Sequence, residues 1–395
     1  TSTAQGGAIY NEGSITNGLG DSTFIRNSIT SENAYAGGGA LYNNGSIQGE
    51  SAVKLYFEGN SAVSKTSNAQ GGAWFNGGSF ASKEITADFI NNYAEGKSTS
   101  EGGAFHNSTT LGKLTGNFIG NHVSGQEFVA GGALYNRGSI EKISGLFRDN
   151  FAKTVGIGYG AEGGALYSYN ANVDADFLNN YVEADGNVKG GAIYSYNLTL
   201  NGEHTYSNNR AISHSKNSLG GAISSEYGPS IENVKGLFSN NYAQAGEFAM
   251  GGSVYSANGI KNVDGTFLNS YAKSETKNAQ GGAIYASSID SLKGSFGNNY
   301  VEAKEYAQGG AVYSVGIEKV NGLFDNNKAT SAETNADGGA INASHITSIE
   351  DSTFSNNSAI TNGADGWAHG GAIYSGNIGS ISNSSFINNT SSFQG

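Results

Sequence analysis

Apolar and polar residues alternate in short stretches along this chain, and the stretches recur. The run Val263-Asp264-Gly265-Thr266-Phe267 alternates with period two, and the same pattern returns as Ile143-x-Gly145-x-Phe147, Val234-x-Gly236-x-Phe238, Leu292-x-Gly294-x-Phe296 and Val320-x-Gly322-x-Phe324. Period two predicts β-strands. An isoleucine stands three residues before the aliphatic (Ile140, Ile231, Ile260, Ile289, Ile317). That spacing breaks the alternation and predicts a corner between short strands of three to five residues. Helix caps are missing from the pattern.

The stretches belong to an internal repeat. A Gly-Gly pair followed by a small and then an apolar residue occurs thirteen times, beginning at Gly6, Gly38, Gly71, Gly102, Gly131, Gly163, Gly190, Gly220, Gly251, Gly281, Gly309, Gly338 and Gly370, with spacings of 27 to 33 residues. The small residue is Ala in twelve copies and Ser253 in the other. Between 14 and 19 residues later comes an aromatic (Phe24, Phe57, Phe89, Phe118, Phe147, Phe177, Tyr206, Phe238, Phe267, Phe296, Phe324, Phe354, Phe386). Three residues after the aromatic stands an asparagine: Asn27, Asn60, Asn92, Asn121, Asn150, Asn180, Asn209, Asn241, Asn299, Asn327, Asn357 and Asn389, with Ser270 as the exception. Short strands and sharp corners at a fixed period predict an all-β fold, a parallel β-helix (β-solenoid) of about 13 coils with ~30 residues per coil. Because every unit runs into the next without a linker, residues 1–395 are read as a single repeat domain. Neither end carries a polar cap, so the expectation is an excerpt of a longer array.

In stacked coils, the residues tolerated at one position indicate which way it faces. The residue after Gly-Gly-Ala is always apolar (for example Leu41, Trp74, Ile193, Ile284) and is assigned inward. The next is Tyr in nine units (Tyr10, Tyr42, Tyr135, Tyr167, Tyr194, Tyr255, Tyr285, Tyr313, Tyr374) and Phe75 in a tenth, but His106, Ser224 and Asn342 in the others. Those polar replacements point outward, so the tyrosines are expected to form an exposed aromatic ladder; a core Tyr with its hydroxyl satisfied is the alternative. The asparagines suit a corner, because Asn tolerates the left-handed conformation and its amide can bond to its counterpart one coil away. Their role is read as structural. The glycine pair marks a tight turn or a place where backbones stack without side chains.

Composition narrows the function. The 61 glycines come with one proline, no cysteine, 22 Tyr and 19 Phe, which excludes collagen and flexible linkers and leaves a chain able to bury a core. Net charge is −12, with no basic cluster, which argues against nucleic acid and against membrane contact within this segment. Lack of cysteine excludes disulfides, thiolate metal sites and cysteine nucleophiles. No apolar run of about 18 residues occurs, and any targeting or anchoring segment is expected outside a sequence that starts at Thr1.

Gly-Gly-Ala-Ile alternating with Phe-x-x-Asn, as in Gly281-Gly282-Ala283-Ile284 with Phe296 and Asn299, or Gly371 and its neighbours with Phe386 and Asn389, resembles the repeats of chlamydial polymorphic outer membrane proteins. More broadly it resembles passenger domains of Gram-negative autotransporter adhesins. The resemblance spans the whole chain. It implies a right-handed parallel β-helix, export, a C-terminal translocator barrel, a place at the bacterial cell surface or outside the cell, and adhesion to host cells. Chlamydial members are generally rich in cysteine and this chain has none, and no barrel is present, which favours a general autotransporter-like surface protein.

A search for catalytic chemistry singles out only Asp174 with Asp176, and Glu183 with Asp185 in the following loop, which read as a solvated loop face. The six histidines lack metal-ligand spacing and default to the surface. Neither a catalytic residue, a metal site nor a cofactor is therefore expected. Binding is placed on the Tyr ladder, which is equally a strand-stabilising stack, and on the two longest insertions, Thr154–Ala161 and Thr361–His369. The expected function is non-enzymatic adhesion to a host-cell surface protein or glycan, or self-association. A self-assembling filament and a β-helical polysaccharide lyase or hydrolase are the alternatives.

Overall fold

The computed structural model describes residues 2–49 and 51–393. The chain divides into two compact units: residues Thr1–Asn187 with Gly191–Leu198, and Val188–Gly190 with Thr199–Gly395. Both are built from one kind of coil, and the fold is all-β, a parallel solenoid of about 13 coils at the spacing of the repeat.

One coil of the second unit shows the design. A two-residue strand, Ala279–Gln280, leads into the glycine pair; a long strand, Ile284–Gly297, follows; after a two-residue corner, Asn298 and Asn299, comes the four-residue strand Tyr300–Ala303. Each strand pairs in parallel with its counterpart in the next coil, as Ala279 with Ala307, Ile284 with Val312, Phe296 with Phe324 and Tyr300 with Lys328. The first unit repeats this, with Ala69 opposite Ser100, Trp74 opposite Phe105, Phe89 opposite Phe118 and Tyr93 opposite His122. Sequence period and pairing register are therefore the same quantity.

The glycine pair is required by two separate constraints. The first glycine turns the chain with φ between +58° and +69°, a region costly for residues with a Cβ. The second lies where the coil is narrowest. A Cβ on Gly72 would lie 2.0 Å from the Gly103 carbonyl oxygen of the next coil and 2.2 Å from the Tyr93 oxygen across its own coil. Immediately afterwards the alternation is suspended. The backbone N–H groups of Ala40 and Leu41 both donate to the Ala73 oxygen at 2.9 Å, and those of Ala283 and Ile284 both donate to Ala311. This bulge turns two successive residues inward, so Ala and its apolar neighbour can both be buried. The apolar residue is fully buried in eleven coils.

The core is a stack of rings. Phe24, Phe57, Phe89, Phe118, Phe147 and Phe177 lie face to face in the first unit with centroids 4.4–4.8 Å apart. From Tyr206 through Phe386 the second unit does the same at 4.6–5.1 Å. Such pairs add about 0.5–1.5 kcal/mol each beyond the area they bury.

Three expectations about the coil need correction. Strands are not uniformly three to five residues long; they run from two residues to fourteen. Ile289 and Leu292 belong to one continuous strand, as do Ile140 and Ile143, so the three-residue spacing marks a bend inside a strand rather than a corner between strands. Between the buried Ile289 and Leu292, Asp290 and Ser291 both turn away from the core. The left-handed residue is not the ladder asparagine but the one before it, for instance Asn91, Asp149, Asn240 and Asn298, with φ of 53–58°.

Candidate functional site

The asparagines three residues after the aromatic form a buried amide ladder. Asn60 Nδ2 donates to Asn92 Oδ1 at 2.9 Å and to the Phe24 carbonyl at 2.9 Å, while the Asn60 N–H donates to the same Asn92 oxygen. The arrangement continues through Asn92, Asn121 and Asn150 to Asn180. Asn27 opens it in the first unit. In the second unit Asn209 bonds Asn241, and Asn299, Asn327, Asn357 and Asn389 continue the ladder. Each amide satisfies a backbone carbonyl and a backbone N–H that the corner leaves unpaired, which is why a buried polar side chain is stable there.

At Ser270 the ladder changes hands. Ser270 Oγ lies 2.8 Å from Ser253 Oγ, and Asn241 Nδ2 reaches Ser253 Oγ at 3.2 Å. The coil lacking its asparagine is also the coil whose Gly-Gly-Ala reads Gly-Gly-Ser. Ser253 therefore supplies the acceptor that the missing amide would have given Asn241.

A second amide ladder, not anticipated from the sequence, lies one residue after the Tyr position. Asn11, Asn43, Asn76, Asn107 and Asn136 are linked by side-chain bonds of 2.7–3.0 Å and end on Ser168. The repeated dipeptides Tyr10-Asn11, Tyr42-Asn43, Phe75-Asn76, His106-Asn107 and Tyr135-Asn136 carried the signal.

The Tyr ladder is not a solvent-facing stripe. Tyr42, Tyr135, Tyr167 and Tyr194 are buried, Tyr255, Tyr285 and Tyr313 are half-buried, and only Tyr10 and Tyr374 are exposed. These side chains do point away from the ring core, but into the concave angle made by the glycine corner. There the residues that precede the glycine pair cover them: Gln5 lies beside Tyr42, Glu101 beside Tyr135, and Ala130 shares one buried cluster with Tyr135, Tyr167 and Tyr194. Burial pushes the phenols of Tyr135 and Tyr167 far above their usual range. His106 stands in this stack between Phe75 and Tyr135, at 4.9 Å from each, and is buried rather than on the surface. Burial holds its imidazole neutral, with a pKa down to about 3, and its Nε2 lies 3.3 Å from Glu101. The Glu101 carboxyl is itself pushed up by burial.

A different ring row reaches solvent. The residue after the ladder asparagine heads the four-residue strand. Tyr93, His122, Phe151 and Tyr181 stack there at 4.6–5.2 Å in the first unit, and Tyr242, Tyr271 and Tyr300 at 4.7–4.8 Å in the second. All seven are half-buried. Asn-Tyr dipeptides at 92–93, 180–181, 241–242 and 299–300 mark the row in the sequence.

Both long insertions leave the far end of this face. Six residues, 155–160 and 362–367, connect the four-residue strand to the next two-residue strand, where other coils use three or four. Val155, Ile157 and Tyr159 are 70%, 90% and 45% exposed, and Trp367 is 65% exposed. The loops are pinned through their backbones: Gly158 N–H donates to Asp185 Oδ2 at 2.7 Å, Gly186 N–H to the Tyr159 oxygen, and Trp367 N–H to Asn335 Oδ1. Fixed backbones present large apolar side chains to water.

The acidic group is not a loop face. Asp174 and Asp176 lie on the strand Leu166–Leu178 and Glu183 on Tyr181–Ala184, leaving Asp185 alone in the turn. Asp174 pairs with Lys142 at 2.5 Å and Glu183 with Lys153 at 2.9 Å, each across one coil step. Comparison with protein-family models, with curated proteins and with solved structures gave no match.

Proposed function

We propose that this chain is a non-catalytic binding scaffold of the autotransporter-passenger kind, exported to the bacterial surface, whose recognition is carried by the insertions 155–160 and 362–367 and the ring rows beside them. The carrying observation is the exposure of Val155, Ile157, Tyr159 and Trp367 on pinned loops of an otherwise regular scaffold. Large apolar side chains held rigid in water lose little entropy on binding and gain desolvation, as hot-spot residues do. The partner is a host-cell surface protein or glycan. A binding rather than a catalytic role is supported by the carboxylates, many of which are matched by a lysine one coil away, among them Glu247 between Lys216 and Lys277, and Glu350 with Lys319.

The test is to screen the purified chain against arrayed host-surface proteins and glycans, then to repeat each positive with Ile157→Asp and Trp367→Ala. Truncating a hot-spot residue weakens binding by about 2 kcal/mol or more, roughly thirtyfold. Ligands bound equally by the parent and both variants would sink the proposal.

A further inference from the structure

A concave trench of about 620 Å³ lies on the outer face of the long strands of the second unit, and no residue of either insertion lines it. Its construction follows from register. Gly236, Gly265 and Gly294 pair in successive coils and form a row without side chains. Gly236 and Gly294 have φ of 103° and 122°, so the sheet bends inward along that row. One wall is the row Thr205, Leu237, Thr266, Ser295 and Leu323, each opposite the next across one coil step. On the other side, Glu203 and Asp264 line the trench.

We infer that this trench binds a linear neutral polysaccharide lying along the stacking direction. Three features select that occupant. First, the trench is open along its length and crosses five coils, a span of roughly 20 Å at the ordinary interstrand spacing; a small ligand needs enclosure that such a channel does not give. Second, its lining turns away an anionic chain: the charged side chains on it are Glu203 and Asp264. Asp264 is paired with Lys293 at 3.3 Å and has Lys235 opposite in register, which leaves little net charge there to draw a cation. Third, the hydroxyl wall carries Thr205, Thr266 and Ser295 with Leu237 and Leu323 among them, 37% and 55% exposed. Alternating hydroxyl and hydrocarbon surface matches the hydroxyl edges and C–H faces of successive sugars. An extended peptide is disfavoured because it binds sheets by pairing with a free strand edge, whereas the floor strands are already paired on both sides.

The experiment titrates the purified chain with neutral linear oligosaccharides of two, four and six hexose units and repeats the titration with Leu237→Arg and Thr266→Trp, both outward substitutions, using circular dichroism to verify the fold. A dissociation constant that falls at least about tenfold from the disaccharide to the hexasaccharide, and rises at least about tenfold in both variants, is expected. Absence of binding, affinity independent of length, or undiminished binding by the folded variants would overturn the inference. So would oligosaccharide binding that is lost with Ile157→Asp and Trp367→Ala but kept with the trench filled, a result that would leave the insertion-borne recognition standing.

Discussion

Single residues in this chain are informative where they break the repeat. Ser253 and Ser270 look like two independent lapses in the sequence, but their hydroxyls meet at 2.8 Å and jointly replace one amide. Ser253→Ala should therefore destabilise by about 1–3 kcal/mol, because Asn241 Nδ2 loses an acceptor in a buried site. The double change Ser253→Ala with Ser270→Asn restores the pattern of the neighbouring coils and should recover most of the loss. Denaturant unfolding of the parent, the two single variants and the double variant measures this coupling. An additive double variant would contradict it.

His106 makes a pH prediction at the same scale. Its folded pKa is depressed to about 3, so between that value and the ordinary histidine value near 6.5 the unfolded chain binds more protons. Its contribution is complete above the unfolded value and is lost as pH falls, at up to about 1.4 kcal/mol per pH unit. Glu101, pushed up by burial, has the opposite slope above its unfolded value. The clean measurement is a difference: His106→Phe, which keeps a ring in the stack, should lose less stability than the parent between pH 6.5 and pH 4. Equal losses would show that His106 is not held neutral.

Elements are set by backbone approach as much as by side-chain pattern. The glycine pair was visible in the sequence, and its two candidate roles proved to belong to different glycines, a turn at Gly71 and a close approach at Gly72. Gly72→Ala places a methyl group against two carbonyl oxygens that belong to backbones. It should cost more than about 4 kcal/mol, the range of severe core defects. Asn121→Ala removes a donor to the Phe89 carbonyl and the acceptor of the Asn92 N–H. Hydrogen exchange at Asn92 should accelerate at least about tenfold in that variant while amides several coils away keep their protection, because a solenoid is held by nearest-neighbour contacts. Strand length and the position of the bend were not legible, because the bend at Asp290 and Ser291 interrupts alternation without ending a strand.

At the scale of the molecule, the repeat made the architecture readable, and the inward apolar residue and the ring core follow from it directly. Exposure was harder to read. Polar substitutions at the Tyr position do report a side chain pointing away from the core, but direction is not exposure, since the coil folds back at the glycine corner and the preceding residue covers the ring. The half-exposed row after the asparagine was hidden for the converse reason: Tyr, His, Phe, Arg, Ser and Lys all occur there, so the position looked merely variable. The glycine register under the trench was legible in the repeated Gly-x-Phe pattern, but the hollow was not, because it depends on the backbone conformation at Gly236 and Gly294.

The account places recognition of the host cell on the two insertions and makes the coils beneath them their support. The most direct test replaces residues 155–160 and 362–367 each by the four-residue turn of a regular coil, such as 275–278, and measures attachment of the fluorescent chain to host cells. With an unchanged circular dichroism spectrum, attachment should fall at least about tenfold. Attachment equal to that of the parent would contradict the account.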